Sequence, residues 1–490
     1  MSAAPESLDV LIESTTSLCP EFLERVQARI VQRNGSALLI KRCPRHGDQT
    51  ALLEKNAGYY LARAAFDKPG TASKTQTSIQ RGCPFDCGLC PDHRQHTCIG
   101  LIEITTECNL ACPDCYARPA SDPNAAPGKA GMGRALNLDQ IERMMDFFQE
   151  AESGKAEVLQ VSGGEPTLHP RILEILRLAK AKRFKCVMLN TNGLRLAEEE
   201  RFAAALGELA GGFEVYLQLD GFDGDACRRL RGRDLVAAKL KAVEDLARYR
   251  VPTTLVATIR MGVNDHEVGR LIQFGLEAEN VRGINFQPLA FFRGAHAEAS
   301  PRGGCEERDG RDSASAGLQA GIERTTVTDI LERIEDQTNG LVRLNDFVPL
   351  PCDVERVAIT FLYRSGGGFR PITRGADLRR FLPAIPNTFA FDADEMIARA
   401  SPAAASQGGC DCAEPLLRLL RPLIPKAYGT RSPAEKREHV SRNTFRISVS
   451  SFVDPYNFDL KSMQRECVHV LTPDLRRIPF SAYNMFHRHE

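Results

Sequence analysis

The chain has 490 residues, in which 63 Lys and Arg residues balance 63 Asp and Glu residues. A net charge of zero provides no field that would hold a polyanion, and the absence of Trp removes a common stacking surface, so nucleic acid is a poor candidate substrate. No apolar run is long enough to span a membrane, and the start lacks a basic segment ahead of an apolar one, which predicts a soluble, cytoplasmic protein. The length predicts a central catalytic domain with flanking modules.

The 16 cysteines are unevenly distributed, and seven of them lie between residues 83 and 115. In a chain of this size without a secretory signal, that crowding indicates metal or iron–sulfur ligation and not a disulfide framework. The spacing C-x3-C-x2-C occurs twice in this stretch, and thiolates are the usual ligands of iron–sulfur clusters.

Residues 1–80 contain two short motifs that look like the halves of a zinc-ribbon or rubredoxin-type clip. Cys19 precedes a proline, and Cys43 opens the run Cys-Pro-Arg-His-Gly that includes His46. Phe22 stands where a C-x2-C pair would place its second sulfur. The clip is therefore degenerate, and it leaves Cys19, Cys43 and His46 as three possible ligands for zinc.

Residues 81–99 form a cysteine-rich segment with the first C-x3-C-x2-C spacing, followed by two histidines and a further cysteine. These potential ligands are Cys83, Cys87, Cys90, His93, His96 and Cys98. A cluster saturated by four protein ligands cannot bind SAM (S-adenosylmethionine) at an iron. We therefore predict an auxiliary [4Fe–4S] cluster held by the three spaced cysteines and Cys98, with zinc as the alternative occupant.

From residue 100 to about 292, short apolar runs alternate with amphipathic stretches, which is typical of parallel βα units. Strands are predicted at residues 100–105, 156–161, 185–190, 213–219, 253–260 and 283–288. Helical stretches lie near residues 137–152, 168–182, 195–209, 233–249 and 264–279. This order predicts an α/β fold, a partial (β/α)6 barrel of the TIM type, with its active site at the carboxyl ends of the strands.

The second C-x3-C-x2-C triplet, Cys108, Cys112 and Cys115, directly follows the first predicted strand. Its compact spacing suits one face of a [4Fe–4S] cube. No fourth cysteine follows until Cys186, inside a predicted strand, so one iron would stay open to chelate the amino and carboxylate groups of SAM. A zinc knuckle is the alternative, but zinc usually takes four ligands in two pairs.

Polar turns follow the later predicted strands, where a SAM site would be built. Gly163 and Gly164 would let the backbone approach a ligand, and Glu165 would accept hydrogen bonds from the methionyl ammonium group. Arg260 is the candidate partner of the SAM carboxylate. The further candidate contacts are Asn190, Thr191, Asn192, Asp220, Asn264 and Gln287. Turn formation and helix capping are the alternative roles of these side chains.

Two regions follow the predicted barrel. Residues 293–325 are rich in Gly, Ala, Ser, Arg and Glu without an apolar period, which predicts a flexible insertion, and 326–490 is predicted as a C-terminal α+β extension. The cysteines of these regions are Cys305, Cys352, Cys410, Cys412 and Cys467. None of them has a spacing that indicates a ligand role.

The cysteine triplet at 108–115, together with the Gly-Gly-Glu-Pro turn at 163–166, resembles the radical SAM superfamily over roughly residues 100–290. A narrower resemblance rests on the segments 81–98, 452–459 and 478–484, which are similar to the archaeal tetraether lipid synthase family, whose members have also been described as pterin methyltransferases. The resemblance implies an N-terminal metal site, an auxiliary cluster, the SAM cluster and a further cluster built from C-terminal cysteines.

The sequence departs from that pattern at both ends. Phe22 and Ser481 occupy positions where the family has cysteine, and no partner follows Cys352 closely. We therefore interpret Cys352 and Cys467 as remnants of a lost cluster, and predict two clusters with about eight irons in total.

The leading interpretation is a radical SAM enzyme that cleaves SAM reductively and abstracts hydrogen from an unactivated carbon. The resemblance suggests a lipid chain as substrate, for C–C bond formation or alkylation. A pterin-type methyltransferase is the alternative, and a non-catalytic iron–sulfur electron carrier or sensor is the alternative of another class. An external electron donor such as ferredoxin or flavodoxin is expected, whereas nucleic acid and a transmembrane segment are not.

Overall fold

The computed structural model of the chain describes residues 8–71, 73–117, 135–209, 211–292, 324–374, 376–383, 385–390, 395, 421 and 430–488. The predicted insertion, apart from its last two residues, lies outside these ranges, as do Cys305, Cys410 and Cys412. The strands of the described chain belong to two sheets.

The first sheet is antiparallel and has the order β1-β2-β3-β4. Its strands are β1 (Val10–Leu18), β2 (Arg25–Arg33), β3 (Ser36–Cys43) and β4 (Gly47–Glu54), and helix α1 (Ala57–Ala62) follows. Ile30, Leu39 and Tyr60 pack together in its small core. Because hairpin turns alternate between the two ends of an antiparallel sheet, the turns after β1 and β3 lie at the same end, and these turns carry the cysteines of the predicted clip.

The second sheet has a parallel centre that matches the six predicted strands. These are β5 (Ile99–Glu103), β6 (Val158–Ser162), β7 (Cys186–Thr191), β8 (Phe213–Gln218), β9 (Thr253–Ile259) and β10 (Val281–Pro288), paired in chain order. The prediction of six parallel βα units is confirmed. Gly100 on β5 has no room for a side chain, since a Cβ there would lie 2.5 Å from the Phe148 ring.

Helices α2 to α8 connect these strands. They are α2 (Leu138–Ala151), α3 (Ile172–Ala181), α4 (Leu194–Glu198), α5 (Glu200–Gly207), α6 (Gly224–Arg231), α7 (Val236–Arg248) and α8 (Val268–Glu277). The sequence did not predict α6, because this highly charged helix has only eight residues, too few for its apolar face of Ala226, Cys227 and Leu230 to be recognised as a period. Among the described residues, no helix has the length and apolar character needed to cross a membrane.

The C-terminal region adds strands to both sides of the same sheet. Its elements are α9 (Val327–Gln337), β11 (Val348–Leu350), β12 (Asp353–Ser365), β13 (Gly368–Pro371), α10 (Pro433–Asn443), β14 (Thr444–Ser450), α11 (Leu460–Met463), β15 (Val468–Leu471), β16 (Arg477–Pro479) and α12 (Phe480–Ala482). Single helical turns occur at Arg63–Phe66, Pro166–Leu168, Asp265–Glu267, Leu344–Asp346, Leu378–Phe381 and Tyr483–His487.

Strand β14 pairs in parallel with β10, and β15 pairs in parallel with β5. The resulting order is β11-β12-β14-β10-β9-β8-β7-β6-β5-β15-β16, with β13 paired to β12. The strands of the predicted C-terminal α+β extension therefore extend the large sheet, because an isolated four-residue strand such as β15 needs a neighbour to satisfy its backbone hydrogen bonds.

Candidate active site

A cavity of about 330 Å³ lies against the inner face of the large sheet. Cys108, Cys112 and Cys115 line it together with side chains from each of the strands β5 to β10. Residues of β12 and β14 from one side of the sheet and of β15 from the other line the same cavity, so the sheet is curled around it. The cavity therefore has the position of a barrel interior.

The donor set of the cysteine triplet fits an iron–sulfur cluster. The Leu110 N–H lies 3.4 Å from Cys108 Sγ, and the Cys115 N–H donates to the Cys112 carbonyl at 3.2 Å. Burial raises the pKa of Cys108 to about 12, a rise that the Leu110 N–H opposes and the Glu165 carboxylate reinforces. A thiolate at this position therefore requires a bound cation, which the irons of a cluster provide.

The two glycines of the Gly-Gly-Glu turn are required by the loop that carries the triplet. A Cβ on Gly163 would lie 2.3 Å from the Thr105 carbonyl oxygen, and one on Gly164 would lie 2.2 Å from the Glu107 carbonyl oxygen. The Gly164 N–H donates to that Thr105 carbonyl at 2.8 Å, and the Glu165 N–H to the Glu107 carbonyl at 2.7 Å. The turn thus packs directly against the backbone that precedes Cys108, a reason for the glycines that the sequence did not reveal.

Glu165 is buried, and its carboxylate accepts four hydrogen bonds from neighbouring residues. Oε1 accepts from the Thr167 N–H at 3.1 Å, the Thr167 hydroxyl at 2.6 Å and the Thr191 hydroxyl at 2.7 Å. Oε2 accepts from the Asn192 N–H at 2.7 Å. The carboxylate therefore ties the end of β6 to the end of β7, and contact with the SAM ammonium group stays a prediction.

The two asparagines predicted at the end of β7 both line the cavity. Asn190 donates from Nδ2 to Ser162 Oγ at 3.0 Å. Asn192 donates from Nδ2 to Asn109 Oδ1 at 2.7 Å and accepts from the Leu194 N–H at 3.0 Å. Asn192 therefore connects the barrel to the cysteine loop, since Asn109 follows Cys108 directly.

Asp220 forms an ion pair with Arg231, a residue that the sequence analysis did not single out. The Arg231 guanidinium donates two hydrogen bonds to the Asp220 carboxylate, one from Nε and one from a terminal nitrogen, both at 2.7 Å. Burial alone would raise the pKa of Asp220, but the Arg231 guanidinium outweighs it and lowers that pKa. Arg231 lines the cavity and also interacts with the Cys112 thiol, whereas Asp220 is not part of the cavity lining.

Arg260, the predicted partner of the SAM carboxylate, does not line this cavity. Its side chain is about half exposed and lies 3.7 Å from Asp114 in the cysteine loop. Asn264 is buried and donates to the Asp220 and Thr258 carbonyls at 2.8 Å, so its role is to hold the ends of two strands. Gln287 does line the cavity, beside the Tyr216 hydroxyl.

We expect Arg231→Gln to weaken SAM binding about tenfold or more, because it removes the cation that faces both the cavity and the triplet. Arg260→Gln is the matched control and should change the affinity less than about twofold, since an exposed ion pair contributes little. Equilibrium binding of SAM to both reconstituted variants checks this. A larger loss in Arg260→Gln than in Arg231→Gln would support the sequence-based assignment instead.

A buried lysine joins the ends of β7 and β8 behind this site. Lys239 Nζ donates to the Asn192 carbonyl at 2.9 Å, and to the Gln218 carbonyl and Gln218 Oε1 at 2.8 Å. Burial lowers its pKa to about 8, although the nearby Asp220 carboxylate opposes this shift. Lys239 could not be recognised from the sequence, because one lysine on an amphipathic helix is typical of an exposed face.

The turn that leads into the auxiliary segment is held by one carboxylate. Asp86 Oδ2 accepts the backbone N–H groups of Gln80 and Arg81 at 2.7 Å and of Gly82 at 2.6 Å, which fixes the turn into the first cysteine. Burial raises the pKa of both Cys83 and Cys87, and the Glu466 carboxyl raises both further. The thiol-rich donor set fits an iron–sulfur cluster.

The two histidines and Ser481 near this segment have other partners. His93 lies 3.2 Å from His469 through their Nε2 atoms, and burial lowers its pKa to about 3. His96 Nε2 lies 3.6 Å from Cys98 Sγ. Ser481 donates from Oγ to Glu466 at 2.9 Å and accepts from the Val453 N–H at 3.1 Å, so its hydroxyl is already satisfied.

Cys98 lies beside two cysteines that the sequence analysis interpreted as remnants of a lost cluster. The Sγ atoms of Cys98, Cys352 and Cys467 all lie within 4.8 Å of one another, and all three residues are buried. The sequence analysis did not foresee this grouping, because the three cysteines are more than one hundred residues apart in the chain. The proposed fourth position of Cys98 in the auxiliary cluster is not supported by this geometry, because its sulfur faces the other two.

The N-terminal clip brings its three predicted ligands together. The ligand atoms of Cys19, Cys43 and His46 lie within 4.8 Å of one another, and His46 Nδ1 is 3.1 Å from Cys19 Sγ. The Phe22 ring centroid lies 4.3 Å from that of His46. Three ligands in this arrangement fit zinc with one position open.

Comparisons with known proteins agree with these sites. The model of the radical SAM superfamily matches residues 102–275, and that of the HMPTM N-terminal zinc ribbon domain matches residues 11–55. The chain is 28% identical over 181 residues to the probable GTP 3',8-cyclase of Thermococcus kodakarensis, covering 37% of this chain and 53% of that protein. Among solved structures, Streptococcus suis SuiB aligns with a TM-score of 0.34 and 16% identity, covering 42% of each chain.

A longer match is to the 7,8-dihydro-6-hydroxymethylpterin dimethyltransferase of Methanocaldococcus jannaschii. The chain is 31% identical to it over 514 residues, which cover 98% of this chain and 94% of that protein. Enzymes of the radical SAM superfamily use a [4Fe–4S] cluster and SAM, the cofactors that the triplet and the cavity accommodate. Because the identity extends over nearly the whole of both proteins and not over the barrel alone, the chain belongs to the radical SAM superfamily and to the family of this dimethyltransferase.

Proposed function

We propose that this protein is a radical SAM methyltransferase that acts on a reduced pterin. The observation that carries the proposal is the 31% identity to the M. jannaschii pterin dimethyltransferase over 98% of the chain. Our leading interpretation from sequence, coupling or alkylation of a lipid chain, has no comparable support. Methyl transfer to a pterin-type ring, the sequence-based alternative, now replaces it.

The cavity wall is mostly apolar, but it also carries polar side chains that a polar heterocycle can contact. Among them are Gln160, Asn190, Gln218, Asn285, Gln287, Asp353, Arg446, Ser448 and Ser450. Several of these groups are hydrogen-bonded to one another, but an alkyl chain would leave Asp353 Oδ1 without a partner, at a cost of about 1–3 kcal/mol. The amide and amino groups of a pterin ring offer the donors and acceptors that such a wall needs.

Asp353, a residue of the cavity wall, has one carboxylate oxygen that is available to accept a hydrogen bond. Asp353 is buried, and its Oδ1 has no hydrogen-bond partner within the described part of the chain. Asn285, in contrast, is engaged by the Tyr216 hydroxyl at 2.5 Å and by Ser448 Oγ at 2.9 Å. Asp353 is thus suited to accept hydrogen bonds from the ring N–H and amino groups of a pterin.

Each group of residues then has a distinct role. A [4Fe–4S] cluster with SAM supplies reductive cleavage of a sulfonium carbon–sulfur bond, with an electron from an external donor such as ferredoxin or flavodoxin. The three triplet cysteines hold the cluster, and Arg231 binds the SAM carboxylate. The apolar part of the cavity wall, which includes Tyr116, Phe389 and Phe480, excludes water from the reacting carbon.

Anaerobic incubation of the reconstituted protein with SAM, a reductant and 7,8-dihydro-6-hydroxymethylpterin tests the proposal. We expect the pterin to gain the mass of one methylene unit for each methyl group added, as measured by mass spectrometry. If the reaction requires a methyl donor other than SAM, a cell extract added to the assay supplies it.

The matched control for this assay is Cys112→Ala, which should leave the pterin mass unchanged because it removes a ligand of the SAM cluster. The proposal fails if the intact protein cleaves SAM but leaves the pterin unmodified, while a membrane-lipid extract becomes cross-linked or alkylated in the same preparation.

A further inference from the structure

Three distant parts of the chain meet at the cluster formed by Cys98, Cys352 and Cys467. Cys98 directly precedes β5, Cys467 directly precedes β15, and Cys352 directly precedes β12. Strands β5 and β15 are neighbours, whereas β12 lies towards the other end of the strand order. The three sulfurs therefore lie where two sides of the curled sheet meet.

Hydrogen bonds to the backbone and apolar packing position these three cysteines. The Cys98 N–H donates to the Cys467 carbonyl at 2.9 Å, and Gln95 Nε2 donates to the Cys352 carbonyl at 3.2 Å. All three cysteines have an exposed fraction of 0% and pack with Leu350, Val357 and Ile359. Hydrogen bonds and apolar packing thus preorganise the three sulfurs around one point.

The spacing of the sulfurs distinguishes a single ion from a cluster. Around one tetrahedral zinc ion with bonds of about 2.3 Å, thiolate sulfurs are separated by about 3.8 Å. In a [4Fe–4S] cube each thiolate binds a different iron, which separates the sulfurs by roughly 6 Å. All three sulfurs of this site lie within 4.8 Å of one another, which fits the single ion.

This site can be compared with the other cysteine motifs of the same chain, the N-terminal zinc clip and the two predicted cluster motifs. The N-terminal clip, which matches a zinc ribbon, has its ligand atoms within the same 4.8 Å. Neither C-x3-C-x2-C triplet forms such a tight group in the described residues. The site of Cys98, Cys352 and Cys467 therefore resembles the zinc clip and differs from the two cluster motifs.

We propose that Cys98, Cys352 and Cys467 bind a single thiophilic metal ion, zinc or ferrous iron, which links the two sides of the barrel sheet. His96 Nε2 lies 3.6 Å from Cys98 Sγ but does not belong to the group within 4.8 Å, so the three cysteines leave the fourth position of the ion open. This differs from the iron–sulfur cluster that the family resemblance implied for the C-terminal cysteines. It does not depend on the substrate of the enzyme.

Metal analysis of the whole protein, purified anaerobically and reconstituted, tests this proposal. We expect Cys352→Ser with Cys467→Ser to lose one metal ion per chain, with the iron of the two triplets retained. The matched control is Cys186→Ser, a cysteine at the start of β7 that belongs to neither tight group, and it should keep every metal. Loss of about four irons from the double variant would overturn the proposal in favour of a cluster, and an unchanged content would exclude a metal.

A second experiment covers the case in which the double variant does not fold. Cys43→Ser removes one ligand of the N-terminal clip and leaves the barrel intact. After addition of Co²⁺, this variant should still show the strong visible absorption of one tetrahedral thiolate-bound cobalt ion. Absence of that absorption in Cys43→Ser would refute the site without recourse to the double variant.

Discussion

Cys112→Ala should reduce the formation of 5′-deoxyadenosine from SAM by about 10³-fold or more under reducing, anaerobic conditions. Each thiolate of the triplet holds one iron, so the loss of one leaves the cube incompletely anchored. Cys112 also interacts with Arg231, so the substitution disturbs the cation beside the cluster as well. Chromatographic measurement of 5′-deoxyadenosine, together with iron content, checks the expectation.

The matched control is Cys227→Ala, which removes a buried cysteine that packs in the same small cluster as Cys108 and Cys112. Cys227 Sγ accepts a weak contact from the Leu235 N–H at 3.4 Å, and Cys227 belongs to no cysteine triplet. Its iron content and cluster absorption should remain those of the native protein. Undiminished SAM cleavage in Cys112→Ala would contradict the assignment of the triplet.

Gly164→Ala should destabilise the protein by about 3 kcal/mol and prevent assembly of the SAM cluster. The added Cβ would lie 2.2 Å from the Glu107 carbonyl oxygen, a backbone atom that cannot rotate away. The loop that carries Cys108 would have to move, and with it the first ligand of the cluster. Denaturant unfolding of the unreconstituted chain measures the first effect, and iron content after reconstitution measures the second.

Gly368→Ala is the control for the change of residue type, because a Cβ there meets no atom within 4 Å. It should alter the free energy of unfolding by less than about 0.5 kcal/mol and leave the iron content unchanged. If Gly164→Ala assembles a normal cluster and binds SAM only weakly, the turn contacts the ligand and does not support the loop.

The parallel strands of the large sheet could be predicted because their signal is local. Each of the strands β5 to β10 is a short apolar run, and the helices between them repeat an apolar face every three to four residues. Helix α6 was missed because its apolar face spans only eight highly charged residues, too few to show that repeat. Its last residue, Arg231, was missed as well, although it is the cation nearest to the triplet in the cavity lining.

For the polar residues of the site, the sequence identified the turns that line the cavity but did not predict which residues each side chain contacts. Asn190 and Asn192 do line the cavity, and Glu165 lies beside them. Asp220, by contrast, pairs with Arg231, and Arg260 lies outside the cavity lining. A side chain at the end of a strand has several directions available, and only packing of the neighbouring elements selects one.

The sequence by itself determined the chemistry of contiguous motifs, because ligands a few residues apart must lie close together whatever the fold. The cysteine triplet at 108–115 and the clip motif around Cys43 are of this kind. Only the tertiary structure decided that Cys98 joins Cys352 and Cys467, and that β14 and β15 complete the sheet. Those contacts link residues more than one hundred positions apart, and their formation depends on how the sheet curls and buries its apolar faces, which no local spacing encodes.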